Sequence, residues 1–253
     1  MIKKAREGKP RRGIYLLPNL FTTAALFFGF FAIVSAMENR FEAAAIGIFI
    51  AMLLDGLDGR IARLTNTQSD FGAEYDSLSD MVSFGVAPAL VMYEWALLSM
   101  GKIGWLAAFI YTAGAALRLA RFNTQLATAD KNYFQGLPSP SAAAIVAGMV
   151  WVGENYMAMD KTVAMFCVVV TIWAGVLMVS NFRYYSFKGI NWKGKVPFVV
   201  MLLVVLIIVL VSSNPPVLLF IGFLVYSFSG IVMTLLAIRT RRKERKTQRA
   251  AES

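Results

Sequence analysis

The sequence predicts an all-α integral membrane protein with eight transmembrane helices. Hydrophobic residues make up 58% of the chain and charged residues only 16%, and apolar runs of nearly twenty residues recur along its length. A helix needs about 20 apolar residues to cross the hydrocarbon core of a bilayer. This composition excludes a soluble domain.

The eight predicted helices follow from hydropathy, because polar or basic residues separate each apolar run from the next. The third run is long enough to tilt or to begin outside the hydrocarbon. An even number of helices places both termini on the same side. The predicted spans are 17–37, 41–62, 75–99, 104–122, 139–156, 162–182, 197–212 and 216–238.

The first predicted helix begins beside Pro18, where the missing N–H of proline would be unpaired anyway. The basic residues before it look like the start of a secretory signal, but the apolar part is long and no small-residue cleavage pattern follows. We therefore expect a retained helix.

Four aspartates, Asp55, Asp58, Asp76 and Asp80, lie at the end of the second predicted helix and the start of the third. The first two are three residues apart and the last two four apart, so each pair projects from one helix face. A carboxylate at the middle of a membrane helix costs about 2.5 to 3.5 kcal/mol, and a cluster of four requires positive charge nearby. Oxygen ligands suit Mg²⁺ or Mn²⁺, and two such ions ~4 Å apart support displacement at phosphorus.

Small residues and an arginine accompany the aspartates. Gly59, Ala62 and Gly72 lie one turn away on the same faces, where they would let a bulky ligand approach the backbone. Arg63 adds a planar donor suited to phosphate oxygens. In the alternative interpretation, Arg60 and Arg63 neutralise the acids in buried ion pairs that only hold helices together.

The spacing D-x2-D-G-x2-A-R-x8-G-x3-D-x3-D is met at all eight fixed positions between Asp55 and Asp80. It resembles the signature of the CDP-alcohol phosphotransferases, membrane enzymes that transfer a phosphatidyl or similar group from a CDP-linked donor to an alcohol. The resemblance implies a six-helix catalytic core at 16–183. It also implies two divalent cations and a homodimer.

The remaining segments fit around that core as a single membrane domain. Residues 1–15 form a basic cytoplasmic tail, 184–238 the last loop and two C-terminal helices, and 239–253 a second basic tail, expected as a helical extension. The small-residue runs Ala113–Ala116 and Ala142–Ala144 permit close helix packing, either inside one protomer or between two.

The family commonly has a PNxxT sequence near its nucleotide site, and PNLFTT matches it through Asn19 and Thr22. The resemblance implies that these two residues contact the cytidine side of the donor. Capping of the first helix is the alternative role. Gly59, Ala62, Arg63 and Gly72 complete the expected donor-binding set.

Three further segments, 83–88, 117–123 and 134–140, resemble those of the membrane-embedded phosphatidylserine synthases of bacteria and archaea, a branch of the family. The resemblance extends from about residue 12 to 190, and the last two helices are less diagnostic. It implies that CDP-diacylglycerol and L-serine are the substrates. Transfer to glycerol phosphate, inositol phosphate or choline remains the alternative within the family.

A serine acceptor needs a cation for its carboxylate, and Arg118 and Arg121 lie three residues apart at a predicted helix end. One of them can hold a carboxylate in a bidentate pair while the other holds a phosphate. Asn123 and Ser83 are candidate neutral partners. The alternative is that both arginines face lipid head groups.

For the reaction we expect Asp55, Asp58 and Asp76 as the principal metal ligands, with Asp80 nearest the acceptor hydroxyl as general base. Asp80 ligates the second metal in an alternative assignment. Cation transport along the aspartates is a further alternative, but neither internal repeats nor broken helices support it clearly.

The rarest residues exclude several mechanisms. The chain has no histidine, which excludes Ser-His-Asp triads and histidine-ligated zinc. The single Cys167 cannot form a disulfide within the chain, and its apolar surroundings predict a packing role.

Basic residues predict the orientation, because segments rich in Lys and Arg stay cytoplasmic. With both tails inside, 22 of the 25 lysines and arginines fall on the cytoplasmic side, and Arg40, Lys102 and Lys161 fall on the other. The aspartates then lie at the cytoplasmic face of the cell membrane. The basic residues that give the net charge of +10 flank the membrane spans. Attraction to anionic lipid therefore explains this charge better than nucleic-acid binding.

Overall fold

A computed structural model describes residues 16–65, 67, 69–125, 133–185 and 198–251. The predicted amino tail, Lys131 and the basic residues Lys188, Lys193 and Lys195 lie outside this part of the chain. Helices and two short strands follow one another in the order α1 (Leu16–Met37), α2 (Phe41–Thr65), α3 (Asp70–Asp80), α4 (Ala87–Trp95), α5 (Lys102–Gln125), β1 (Tyr133–Gln135), α6 (Ser139–Tyr156), α7 (Lys161–Val179), β2 (Arg183–Tyr185), α8 (Phe198–Ser213) and α9 (Pro215–Ala251).

The predicted class, an all-α membrane protein, is confirmed. Within the described residues, four helical stretches are long and apolar enough to cross a membrane, namely Leu17–Met37, Lys102–Thr124, Lys161–Val179 and Pro215–Thr240. A shorter apolar helix covers Val199–Ser213. The count of eight spans remains a prediction.

The predicted third span, 75–99, is wrong at both ends and in its regularity. Ser69 caps α3 by accepting a hydrogen bond from the Gly72 N–H (3.0 Å), so the helix begins at Asp70. A π-helical turn, Met81–Val86, separates α3 from α4, and a 3₁₀ turn, Leu97–Met100, follows α4. The other seven predicted helices match observed ones, with boundaries that differ by a few residues, and α9 continues to Ala251 as the expected helical extension.

The first two helices form a tightly packed antiparallel pair. A three-residue turn joins them. Its central residue, Asn39, has a φ of 58°, which asparagine tolerates better than most residues. Alanines on both helices are buried at their contact, and a Cβ at Gly47 would lie 3.2 Å from the Phe28 carbonyl oxygen. This close approach brings the amino-terminal part of α1 beside the aspartates of α2.

Helix α6 occupies the centre of the molecule, with 13 of its 18 residues buried. Its small residues serve packing within the protomer, since Ala142, Ala143 and Ala144 are buried and Gly148 contacts Phe220 of α9. Gly114 of α5 likewise packs on Gly175 of α7. These runs therefore supply no evidence for a dimer interface.

A two-stranded ribbon that hydropathy did not predict connects the ends of several helices. Strands β1 and β2 pair antiparallel, with Phe134 opposite Tyr184. The Tyr184 hydroxyl donates to the Ser227 carbonyl (2.9 Å), and the Arg183 N–H donates to the Thr234 hydroxyl (3.0 Å). The ribbon thereby anchors α9 to the rest of the bundle.

Candidate active site

Three of the four predicted metal ligands converge. One carboxylate oxygen from each of Asp55, Asp76 and Asp80 lies within 4.8 Å of the other two. Helix α2 contributes one carboxylate and α3 two, and the cluster forms because both helices pack against α1.

The donors in this aspartate cluster (Asp55, Asp76 and Asp80) fit a hard divalent cation. Carboxylate oxygens are the ligands that Mg²⁺ and Mn²⁺ prefer, and the three residues are half-buried, so bulk water screens their mutual repulsion only in part. The described residues therefore include a group that could hold such an ion.

Asp58, the fourth predicted ligand, has a different local environment. Its side chain is 5% exposed, and its Oδ2 accepts a hydrogen bond from the Thr22 hydroxyl at 2.7 Å. The Ser79 hydroxyl donates to the Thr22 carbonyl at 3.1 Å. Thr22 thus joins α1, α2 and α3, and its hydroxyl holds an aspartate in place.

Asn19 and Gly72 lie next to each other beside the start of α3. A Cβ on Gly72 would contact the Ser69 hydroxyl at 3.1 Å and the Asn19 Oδ1 at 3.5 Å. The site therefore has little room for a larger residue at position 72.

On α2, by contrast, a Cβ on Gly59 would meet no atom within 4 Å. The exposed Arg63 donates through Nε to the Gly59 carbonyl at 2.8 Å. Ala62, which precedes Arg63 in the sequence, is half-buried. This helix face leaves open space for a ligand close to the backbone.

Arg118 is the arginine that α5 directs toward the aspartate cluster. Its Nη1 donates to the Ser139 hydroxyl at 2.5 Å, and its positive charge interacts with Asp80 and Asp55. Ser139 begins α6 and is fully buried. Sequence reasoning singled out the segment that contains Ser139 but gave this serine no role, because only the tertiary fold brings α5 and α6 together.

Arg121 and Asn123 have other partners. Arg121 donates through Nη1 to the Asn181 side chain (3.3 Å) and the Ser180 carbonyl (3.4 Å), which ties α5 to the end of α7. The Asn123 amide donates to the Ser77 hydroxyl at 3.0 Å, and Ser77 lies between Asp76 and Asp80 on α3. Asn123 is thus near the aspartate cluster, whereas the bonds that Arg121 makes are structural.

Ser83 does not line the site. It is fully buried, and its hydroxyl donates to the Ala25 carbonyl on α1 at 3.1 Å. The predicted role of Ser83 as a serine-binding residue is corrected to one in helix packing. The physical reason is that the π-helical turn directs this side chain into the contact with α1.

A large cavity of about 1090 Å³ lies between the core and the two C-terminal helices, and the sequence did not predict it. Arg60 and Arg63 contribute positive charge, whereas most of the other lining residues are apolar. Tyr226 lies in its wall, and its hydroxyl donates to the Tyr185 carbonyl at 3.2 Å. The lining residues are Arg60, Arg63, Leu64, Phe134, Pro138, Ser141, Tyr185, Ile207, Val211, Leu218, Leu219, Gly222, Phe223 and Tyr226.

Comparison with known proteins adds to this geometry. Residues 15–180 match the family model described as CDP-alcohol phosphatidyltransferase. The chain is 40% identical over 193 residues to the CDP-diacylglycerol–serine O-phosphatidyltransferase of Helicobacter pylori, covering 76% of this chain and 81% of that protein. Proteins of the same name from Mycobacterium tuberculosis (44% over 153 residues, 56% of this chain and 53% of theirs) and Saccharomyces cerevisiae (39% over 149 residues, 53% of each) are also similar.

Proposed function

The chain belongs to the CDP-alcohol phosphatidyltransferase family, and we propose that it transfers the phosphatidyl group of CDP-diacylglycerol to the hydroxyl of L-serine. The products are phosphatidylserine and CMP. The observation that carries this proposal is the convergence of Asp55, Asp76 and Asp80 from two helices inside the family region. The identity of 40% over most of both chains to a relative with this activity in its name supports serine as acceptor.

Asp55, Asp76 and Asp80 would hold divalent cations, with Asp58 beside them, and we propose two ions, Mg²⁺ or Mn²⁺. When bound, such ions neutralise the pyrophosphate and favour departure of CMP. Asp58 is kept in place by Thr22, which limits its freedom to turn away from the neighbouring carboxylates.

Asp80 acts as the general base in this proposal. It accepts the proton of the serine hydroxyl while the serine oxygen bonds to the phosphorus that carries diacylglycerol, and the bond from that phosphorus to the CMP oxygen breaks. Support comes from the convergence of Asp80 with Asp55 and Asp76 and from its electrostatic interaction with Arg118. Holding both reactants beside Asp80 lowers the entropic part of the barrier.

Arg118 binds the serine carboxylate, and Asn123 lies on the same side as a neutral partner. The bond to Ser139 fixes the guanidinium, so less side-chain entropy is lost when the acceptor arrives. Arg121 remains a secondary candidate for binding a phosphate group, because its observed hydrogen bonds are to residues at the end of α7.

The donor lies along α2 and enters the large cavity. Arg63, with Gly59 and Ala62 on the same helix, contacts its phosphates, while Asn19, Thr22 and Gly72 border the cytidine side. The two acyl chains occupy the cavity, whose lining is mostly apolar with Arg60 and Arg63 as its cationic part.

We propose that the protein spans the cell membrane eight times, with both termini and the active site on the cytoplasmic side. Support comes from the four long apolar helices and from the concentration of Lys and Arg in the tails and on one set of loops. A homodimer is proposed from the family resemblance alone, and the mass of the purified protein in detergent tests it.

One assay tests the function. Detergent-purified protein is incubated with CDP-diacylglycerol, Mn²⁺ or Mg²⁺, and radiolabelled serine, glycerol phosphate, inositol phosphate or choline in parallel, and the lipid product is identified by chromatography. Label in a serine lipid, with CMP released in equal amount, is the expected result. If label enters lipid only from another acceptor, the assignment of serine as acceptor is wrong. If label enters lipid from none of the acceptors, the assignment as a phosphatidyltransferase is wrong.

A further inference from the structure

The π-helical turn between α3 and α4 has a cause in the sequence. In a regular α-helix the Phe84 carbonyl would accept from the N–H of residue 88, but residue 88 is proline, which has no N–H and whose ring crowds that carbonyl. The chain adopts wider bonding instead, in which the Ala87 N–H donates to the Val82 carbonyl five residues before it. One extra residue is thereby inserted into the helix.

A tyrosine from α5 supplies the Phe84 carbonyl with a donor. The Tyr111 hydroxyl donates to it at 2.9 Å, and both residues are fully buried. Loss of that hydroxyl would remove a hydrogen bond from a carbonyl that bulk water does not reach. Tyr111 therefore stabilises the turn in its widened form.

The same turn sets the direction of the catalytic carboxylates. Asp80 is the residue immediately before it, and α4 after it is fixed in the core by Ala87, Ala89, Val91 and Met92. Without the inserted residue, α3 would be rotated by about 100° relative to α4, since an α-helix has 3.6 residues per turn. Asp76 and Asp80 would then turn away from Asp55.

Neighbouring helices are shaped to accommodate the widened turn. A Cβ on Gly29 of α1 would lie 2.8 Å from the Ser83 Cα, and a Cβ on Gly85 would lie 3.2 Å from the Ala115 Cβ. Tyr111, Ala115 and Arg118 share one face of α5, because they are four and seven residues apart. The face of α5 that supports the turn thus also carries the arginine of the proposed serine pocket.

We propose that Tyr111 is a positioning residue for phosphatidyl transfer, acting through the Phe84 carbonyl and the π-helical turn to keep Asp80 directed at Asp55. The inference rests on the proposed function. It assigns no contact with substrate to Tyr111 itself.

Tyr111→Phe removes the hydroxyl and leaves the ring, and Tyr184→Phe is a matched control. Tyr184 is also fully buried, and its hydroxyl also donates to a helix carbonyl at 2.9 Å, that of Ser227, but in contact with α9. Steady-state serine transfer at saturating Mn²⁺ and thermal unfolding in detergent are measured for both. We expect kcat of Tyr111→Phe to fall roughly ten- to a hundredfold with KM for both substrates nearly unchanged, as misplacement of a catalytic group predicts.

Tyr184→Phe should shift the unfolding temperature by a similar amount and keep kcat within about twofold of wild type, because its hydrogen bond serves stability alone. Equal kcat losses in the two variants, or no loss in Tyr111→Phe, would overturn the inference. If the wild type itself fails to transfer to serine, the proposed function fails instead.

A second variant tests the turn directly. Pro88→Ala restores an N–H that can bond to the Phe84 carbonyl as in an α-helix, so it should lower kcat as Tyr111→Phe does. Because both changes act on one turn, the double variant should lose little more than either single variant. If the two reductions in kcat add up in the double variant, Tyr111 and Pro88 do not act through the same turn, and the inference is contradicted.

Discussion

At the scale of single residues, Asp80 interacts with charged groups of both signs. Its carboxylate lies close to those of Asp55 and Asp76, and it is also within the electrostatic influence of Arg118. A carboxylate in this position can take a proton from an acceptor hydroxyl, whereas an amide of the same shape cannot.

Asp80→Asn should therefore lower turnover by about 10² to 10⁴ fold, the contribution typical of a general base. Donor binding, measured by calorimetry with CDP-diacylglycerol in detergent, should remain because the side-chain volume is kept. Asp70→Asn, an exposed acid in the first turn of the same helix, is the control and should behave as wild type. Turnover at the wild-type rate in Asp80→Asn would reject the role.

Thr22 gives a second test at this scale. Thr22→Val removes the donor to the buried Asp58 and should reduce the free energy of unfolding by about 1 to 3 kcal/mol, the cost of a buried polar group left without its partner. Activity should fall with it if Asp58 belongs to the metal site. Thr124→Val, in an exposed threonine that bonds only to carbonyls of its own helix, is the matched control. Equal stability of the two variants in thermal unfolding would contradict this account of Thr22.

The sequence predicted the chemistry of these residues better than their contacts. The spacing of the aspartates was sufficient to predict that Asp55, Asp76 and Asp80 converge from two helices. It could not reveal that Asp58 pairs with Thr22, or that Arg118 bonds to Ser139 while Arg121 bonds beyond α7. Those bonds depend on how helices distant in sequence pack, which local periodicity does not encode.

At the scale of elements, the sequence predicted the positions of the helices but not the irregular turns within them. Long apolar runs predicted the helices, because length and hydropathy decide whether a segment spans a bilayer. The break at Met81–Val86 was not predicted, although Pro88 was visible, because a proline near a helix can kink it, end it or widen it. Tyr111, 23 residues away, contributes to that choice.

Gly29→Ala tests the packing around this break. The new Cβ would lie 2.8 Å from the Ser83 Cα, a backbone atom that cannot move without shifting the turn. We expect a loss of about 1 to 3 kcal/mol in the free energy of unfolding, as for other overpacked sites, and reduced activity. Gly222→Ala, where nothing lies within 4 Å, should retain wild-type stability or exceed it. Thermal unfolding in detergent compares the two.

At the scale of the whole molecule, the two C-terminal helices extend the family region. The family match ends at residue 180, yet α8 and α9 provide half of the residues around the large cavity. Hydropathy predicted both helices as spans but gave them no role. A cavity between them and the core arises only from tertiary packing.

Gly222→Trp tests the proposed use of that cavity, because its side chain would fill open space without a clash. We expect a several-fold rise in KM for long-chain CDP-diacylglycerol and a smaller rise for a short-chain donor, since fewer methylene groups are displaced. Val225→Trp, at a position 62% exposed and outside the cavity lining, is the control. The same KM for both chain lengths in Gly222→Trp would contradict acyl-chain binding there.

The most direct measurement is the binding of Mn²⁺ to the detergent-purified protein, followed by electron paramagnetic resonance. Wild-type protein and the Asp70→Asn control should each bind two ions, whereas Asp55→Asn combined with Asp76→Asn should lose them together with serine transfer, because the ligands from α2 and α3 are both removed. Equal Mn²⁺ binding by the wild type and the double variant, or no binding by the wild type at millimolar Mn²⁺, would contradict the account.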